Sequence, residues 1–203
     1  MIVSSLLWLA VFVPAVAVPN GMLLSIAIAA GALVFVKRTR GPTFALVFRS
    51  VPLSLAIGLA AGTAMHFAMN PLFDLLAREA TGKEADLSSL AAVEGDLGNY
   101  LKLLALGVLF GGVIEEVIDR GFLIGWGTAA FGRRWAAPLL LLTSLGFGLA
   151  HAWQGAAGMI TTGLSGLCYG TVYLLCDRKL LPAMTTHATS NAIAITAIYL
   201  HGV

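Results

Sequence analysis

The sequence predicts an all-α protein: a polytopic integral membrane bundle of about seven transmembrane helices. Three observations predict it. Hydrophobic residues make up 59% of the chain and charged ones only 11%, with a mean hydropathy of +0.91, whereas a soluble domain carries about 25% charge. Hydrophobic runs close to the ~20 residues that a membrane-crossing helix needs alternate with short polar breaks. The few ionisable groups inside those runs gather in three clusters, Glu115-Glu116 with Arg120, Phe147 with His151, and His187 with Asn191. Buried at membrane depth, such groups are costly and mark function.

The runs place spans, in order, at residues 2–18, 22–36, 50–69, 99–124, 136–152, 157–176 and 180–200. Between the first two lies only Pro19-Asn20-Gly21, which reads as a tight turn. The second span is short, so it is expected to have displaced ends or to cross at an angle. Residues 6–17 resemble a signal-peptide core, with Ala15-Val16-Ala17 as a small-residue cleavage pattern, but no Lys or Arg precedes them. They are therefore expected to stay as the first span.

Charge orients the spans. Lys37, Arg38, Arg40, Arg49, Arg133, Arg134, Arg178 and Lys179 all follow even-numbered spans, so they share one side, which the positive-inside rule makes cytoplasmic. Residues 70–98 instead carry Asp74, Glu79, Glu84, Asp86, Glu94 and Asp96 against Arg78 and Lys83, and are expected to form a long external loop. The N-terminus is then cytoplasmic, in a multi-pass protein of the cytoplasmic membrane. Residues 1–98 form an N-terminal transmembrane region with the acidic loop, and residues 99–203 a catalytic helical core.

Other features are read as packing. Gly58/Gly62, Gly107/Gly111, Gly121/Gly125 and Gly166/Gly170 have the four-residue spacing that lets membrane helices approach closely. Cys168 and Cys176 are eight apart, about 12 Å along a helix and beyond the roughly 7 Å that a disulfide spans, so both are expected to be buried thiols. His66 is assigned to structure and His201 to a helix end. No basic face with interleaved aromatics supports nucleic-acid binding, and no internal repeat supports an inverted-repeat transporter.

The chemistry lies in the second half. Glu116 and Arg120 have the i,i+4 spacing and order of a favourable helical ion pair. Glu115 points about 100° away and is freer to meet another helix. Phe147/His151 and His187/Asn191 each share a helix face at the same spacing. Together His, Asn and Glu supply a proton acceptor, a proton donor and an amide donor, the parts that activate water and stabilise an oxyanion.

The ordered combination EExxxR, FxxxH and HxxxN over residues 99–200 resembles the CPBP (ABI) family of intramembrane endopeptidases, which includes type II CAAX prenyl endopeptidases and proteins of bacteriocin maturation and immunity. The resemblance implies hydrolysis of a peptide bond in a peptide or protein substrate held at the lipid bilayer. Glu115 would take a proton from water, His151 would hold that water, and His187 with Asn191 would polarise the scissile carbonyl. Glu116 and Arg120 would fix the orientation of the others, and Phe147 would pack against them. Asp119 departs from the usual apolar residue before the arginine: it shares a face with Glu115, competes for Arg120, or faces cytoplasmic water. No cofactor is favoured. Zinc held by Glu115, His151 and His187 is the alternative, although the HExxH pattern is absent. A non-catalytic immunity or scaffold protein and an ion-coupled transporter are the readings from other classes.

Overall fold

A computed structural model describes residues 2–18 and 21–203. Among the described residues every regular element is a helix, and there is no strand. The expected turn at Pro19-Asn20 lies outside them. Seven long helices follow the seven hydrophobic runs: α1 (Ile2–Ala17), α2 (Gly21–Phe35), α3 (Val51–Thr81), α4 (97–131), α5 (Ala136–Ala150), α6 (Gly155–Leu175) and α7 (Leu180–His201). Among the described residues one helix, Val51–Thr81, is by itself long and apolar enough to cross a membrane. The number rises to three if each of two bent pairs counts as one span. α7 is long enough, but Thr185, Thr186, His187, Thr189, Ser190 and Asn191 dilute its hydropathy. Of these, His187, Ser190 and Asn191 line the candidate site, and Thr185 and Thr189 pack against Gly58 and Gly62 of α3.

Helix α3 corrects the expected long loop. It begins where the Ser50 side chain accepts from Leu53 N–H at 3.3 Å, with a proline in its first turn. It runs on through Asn70 to Thr81 and stops at Gly82, whose φ of 69° turns the chain. The polar residues Asn70, Asp74, Arg78 and Glu79 hid this continuation, because they interrupt the apolar pattern of the segment. Phe73 and Ala77 within it are buried. The acidic connection is therefore only residues 82–96, with one short helical turn at Ser88–Val93.

The N-terminal helix is packed into the bundle. Trp8 donates from Nε1 to the Leu123 carbonyl at 2.8 Å, and Ser25 of α2 donates to the Val11 carbonyl at 2.6 Å. After Phe35 the chain turns by 108° into Lys37–Thr43, where the Arg40 guanidinium satisfies the open carbonyls of Leu33 and Val34.

Helix α7 ties the two ends of the bundle together. At its start Leu180 and Leu181 donate to the carbonyls of Ala45 and Leu46, which joins two of the cationic connections. At its far end the Tyr199 carbonyl accepts from Gly95 of the acidic connection. Gly58 and Gly62 let α3 lie directly on α7: a Cβ at Gly62 would stand 2.6 Å from the Thr186 carbonyl oxygen. The other glycine pairs serve the same close approach. Gly107 and Gly111 face Asn191 and His187, Gly121 and Gly125 face Thr43 and Tyr173, and Gly166 and Gly170 face Phe147 and Leu140. Cys176 is buried and Cys168 only half-buried, and both are free thiols.

Candidate active site

The chain loosens where the site is built. In α4 the turns widen to i→i+5 hydrogen bonding over Leu106–Glu115 and again over Val117–Trp126, a geometry that recurs at functional sites. Wider turns leave backbone carbonyls open to side chains of other helices: Asn191 Nδ2 donates to Gly107 O at 3.0 Å. Between α5 and α6 the chain bends by 56°. His151 sits at this break, with its Nδ1 2.8 Å from the Phe147 carbonyl oxygen.

Glu116 is the hub of the interior. Arg120 Nη1 donates to Glu116 Oε1 at 2.9 Å, the i,i+4 pair expected from the sequence. His187 Nδ1, 71 residues further on, lies 2.9 Å from the same oxygen. Arg120 also donates from Nη2 to the Gly166 carbonyl at 2.6 Å, and its guanidinium lies over Phe147 at 5.1 Å and Tyr169 at 5.7 Å. Asp119 Oδ2 stands 3.7 Å from Arg120 Nη1. It is 6% exposed, so it stands against Arg120 and does not face water.

His187 is clamped as well as hydrogen-bonded. Its ring stacks on Tyr169 at 4.4 Å and meets the edge of Phe147 at 5.8 Å. Since Nδ1 carries the hydrogen donated to Glu116, Nε2 is the nitrogen turned toward Gly111 and Asn191. By the same reasoning, the bond from His151 Nδ1 to a carbonyl leaves His151 Nε2 for the site. Glu115 is 8% exposed, and no hydrogen bond to another described residue occupies its carboxylate.

One cavity of about 570 Å³ collects these groups. Glu115, His151, His187 and Asn191, drawn from α4, the α5–α6 break and α7, all line it, together with Phe147 and Tyr169. Glu116 and Arg120 lie behind its wall. A smaller cavity of about 250 Å³, walled by Met22, Leu23, Phe110 and Trp153, also reaches Glu115 and His151. Phe147 packs its ring 4.8 Å from His151.

Sequence reasoning missed Tyr169, Gln154, Ser165 and Asn70, which also line the larger cavity. Tyr169 gave no signal, because an aromatic residue in an apolar run reads as core. Asn70 and Ser165, hydrogen-bonded at 3.3 Å, were detectable only as polar residues in hydrophobic segments. His66 pairs edge-on with Phe67 at 4.8 Å, away from this cavity. His201 is the last residue of α7.

One comparison with known proteins finds a match. Residues 97–193 match the model of the type II CAAX prenyl endopeptidase Rce1-like family. That segment, a little under half of the 203 residues, contains all three motifs and bears out the resemblance read from them. The family is one of membrane-embedded endopeptidases acting at CAAX sequences. Curated proteins and solved structures give no match.

The zinc alternative meets a test in the donor set. Among the described residues no three or more His, Cys, Asp or Glu side chains are grouped to hold a metal ion. Glu115, His151 and His187 line the same cavity without being grouped as such a set.

Proposed function

We propose that this protein is an intramembrane endopeptidase that hydrolyses a peptide bond of a membrane-associated or lipidated substrate with water activated by Glu115 and His151. The observation that carries the reading is the shared cavity: four side chains of the required types, from three separate parts of the chain, line one space of about 570 Å³. In a water-poor site such preorganised groups stabilise developing charge far better than they would in bulk water.

Each residue then has a chemical part. The Glu115 carboxylate accepts a proton from water as the water oxygen attacks the scissile carbonyl carbon. His151 Nε2 accepts a hydrogen bond from the other hydrogen of that water, which stays on the attacking oxygen, and so holds the water in line. As the carbonyl π bond opens, the oxyanion receives hydrogen bonds from Asn191 Nδ2 and, with the ring doubly protonated, from His187 Nε2. Glu116 supplies the counter-charge at His187 Nδ1. Collapse of the tetrahedral intermediate breaks the C–N bond, and the proton held by Glu115 passes to the leaving amine. Arg120 and Glu116 act as positioning residues, because they touch the reacting atoms only through His187 and Phe147.

The protein is placed in the cytoplasmic membrane with a cytoplasmic N-terminus, on the strength of the cationic connections at residues 37–49, 133–134 and 178–179. The catalytic cavity then opens beside the acidic connection, on the opposite side. The reading is tested by incubating detergent-purified protein with a fluorogenic peptide library, with and without a zinc chelator. Cleavage that persists with chelator supports it; cleavage abolished by chelator and restored by zinc contradicts the metal-free chemistry.

A further inference from the structure

The catalytic cavity continues into a second one. A neighbouring space of about 630 Å³ shares Asp74, Ala85, Leu87 and Thr161 with it, so the two form one cleft from Glu115 to the acidic connection. Its inner end carries a nine-tenths-buried carboxylate, Glu115, that no described residue hydrogen-bonds. Its outer part carries Asp74, Glu84 and Asp86 against Arg78.

Those charges do not cancel. Arg78 Nη1 lies 3.6 Å from Glu84 Oε1, which pairs the one cation of the outer cleft and leaves Asp74 and Asp86. Asp74 accepts from Thr161 at Oδ1, 3.0 Å away, so Oδ2 stays open to the cleft. Asp86 is held in place because its N–H donates to the Gln154 carbonyl at 2.9 Å, tying the connection to a residue of the catalytic cavity. Hydrogen bonds from Ser88 hold its carboxyl below the usual carboxylate range, so it is ionised at neutral pH. Asp74 and Asp86 are both exposed, and with no cation among the described residues paired to either they give the mouth of the cleft a net negative charge.

We propose that the outer cleft binds a cationic side chain, lysine or arginine, in the flank of the peptide substrate, with Asp74 and Asp86 as its specificity-determining residues. The proposal rests on the endopeptidase reading above. Both residues lie outside the matched segment 97–193. The motif-bearing half thus supplies the chemistry, and α3 with its following connection supplies the selectivity.

The experiment uses the full chain in detergent as Glu115→Gln, alone and combined with Asp74→Asn, Asp74→Lys or Asp86→Asn. Fluorescein-labelled peptides differing only by Lys, Gln or Glu at one flanking position are titrated by anisotropy at low salt. The Lys peptide is expected to bind about two- to fivefold tighter than its Gln counterpart, the upper range for ion pairs at an exposed site. Asp74→Asn and Asp86→Asn each shrink the preference, and Asp74→Lys turns it toward Glu. Equal binding of Lys and Gln peptides, a preference that survives both Asn variants, or no peptide binding at all overturns the proposal. Cleavage by the wild-type chain is followed in parallel. Lys-selective binding without cleavage upholds the cleft and removes the endopeptidase reading, whereas cleavage without charge preference does the reverse.

Discussion

His187 Nδ1 and Arg120 Nη1 both lie 2.9 Å from one oxygen of Glu116, so a single buried carboxylate links an arginine one helical turn away to a histidine on another helix. The link makes the integrity of α4 and the orientation of His187 one problem. It also fixes which histidine nitrogen faces the site.

Removing that carboxylate should therefore damage both. Glu116→Ala strands a buried guanidinium and is expected to cost about 3–5 kcal/mol. Glu116→Gln keeps an acceptor and should cost less while still lowering turnover. Thermal unfolding in detergent beside peptide cleavage separates the two effects; a Glu116→Ala protein as stable as wild type would contradict the hub.

Gly111 should be intolerant for a reason confined to the site. A Cβ there would lie 2.7 Å from Asn191 Nδ2 and 3.4 Å from His187 Nε2, so Gly111→Ala must displace the two groups assigned to the oxyanion. A displacement of about 1 Å costs on the order of 100-fold in rate, against about 1–3 kcal/mol of stability from overpacking. The check is kcat for the folded variant, and an unchanged kcat would remove Asn191 and His187 from the reaction.

Asp119 is expected to be dispensable. Its Oδ2 is buried without a hydrogen bond and stands 3.7 Å from an arginine that Glu116 already pairs. Asp119→Asn removes a desolvated charge and should leave the melting temperature unchanged or raised, with cleavage retained. A drop of several degrees would show that Arg120 depends on both acids.

What could be read from the sequence divides along physical lines. The helices follow from runs that only a bilayer or a buried core accommodates, and the Glu116–Arg120 pair follows from helical spacing alone. The Glu116–His187 contact does not, since nothing local relates residues 71 apart. The extension of α3 to Thr81 was hidden because Asn70, Asp74, Arg78 and Glu79 break up its apolar residues, so that no continuous hydrophobic run registers. Asp119 left several placements open, because a carboxylate beside an arginine and one at a helix surface have the same sequence.

The proposed orientation predicts opposite labelling of two connections. In a Cys168→Ala/Cys176→Ala background, a membrane-impermeant maleimide added to intact cells should modify Glu84→Cys and spare Arg178→Cys. Inverted vesicles should give the reverse. The opposite pattern would place the acidic mouth of the cleft in the cytoplasm.

The central claim is that Glu115 activates water, and cleavage by wild-type protein beside Glu115→Gln tests it most directly. Gln keeps the shape of the side chain but cannot take the proton. The account predicts at least about a 100-fold loss of turnover, the usual scale for a general base, with an unchanged melting temperature. A folded Glu115→Gln protein that cleaves peptide at the wild-type rate would contradict it.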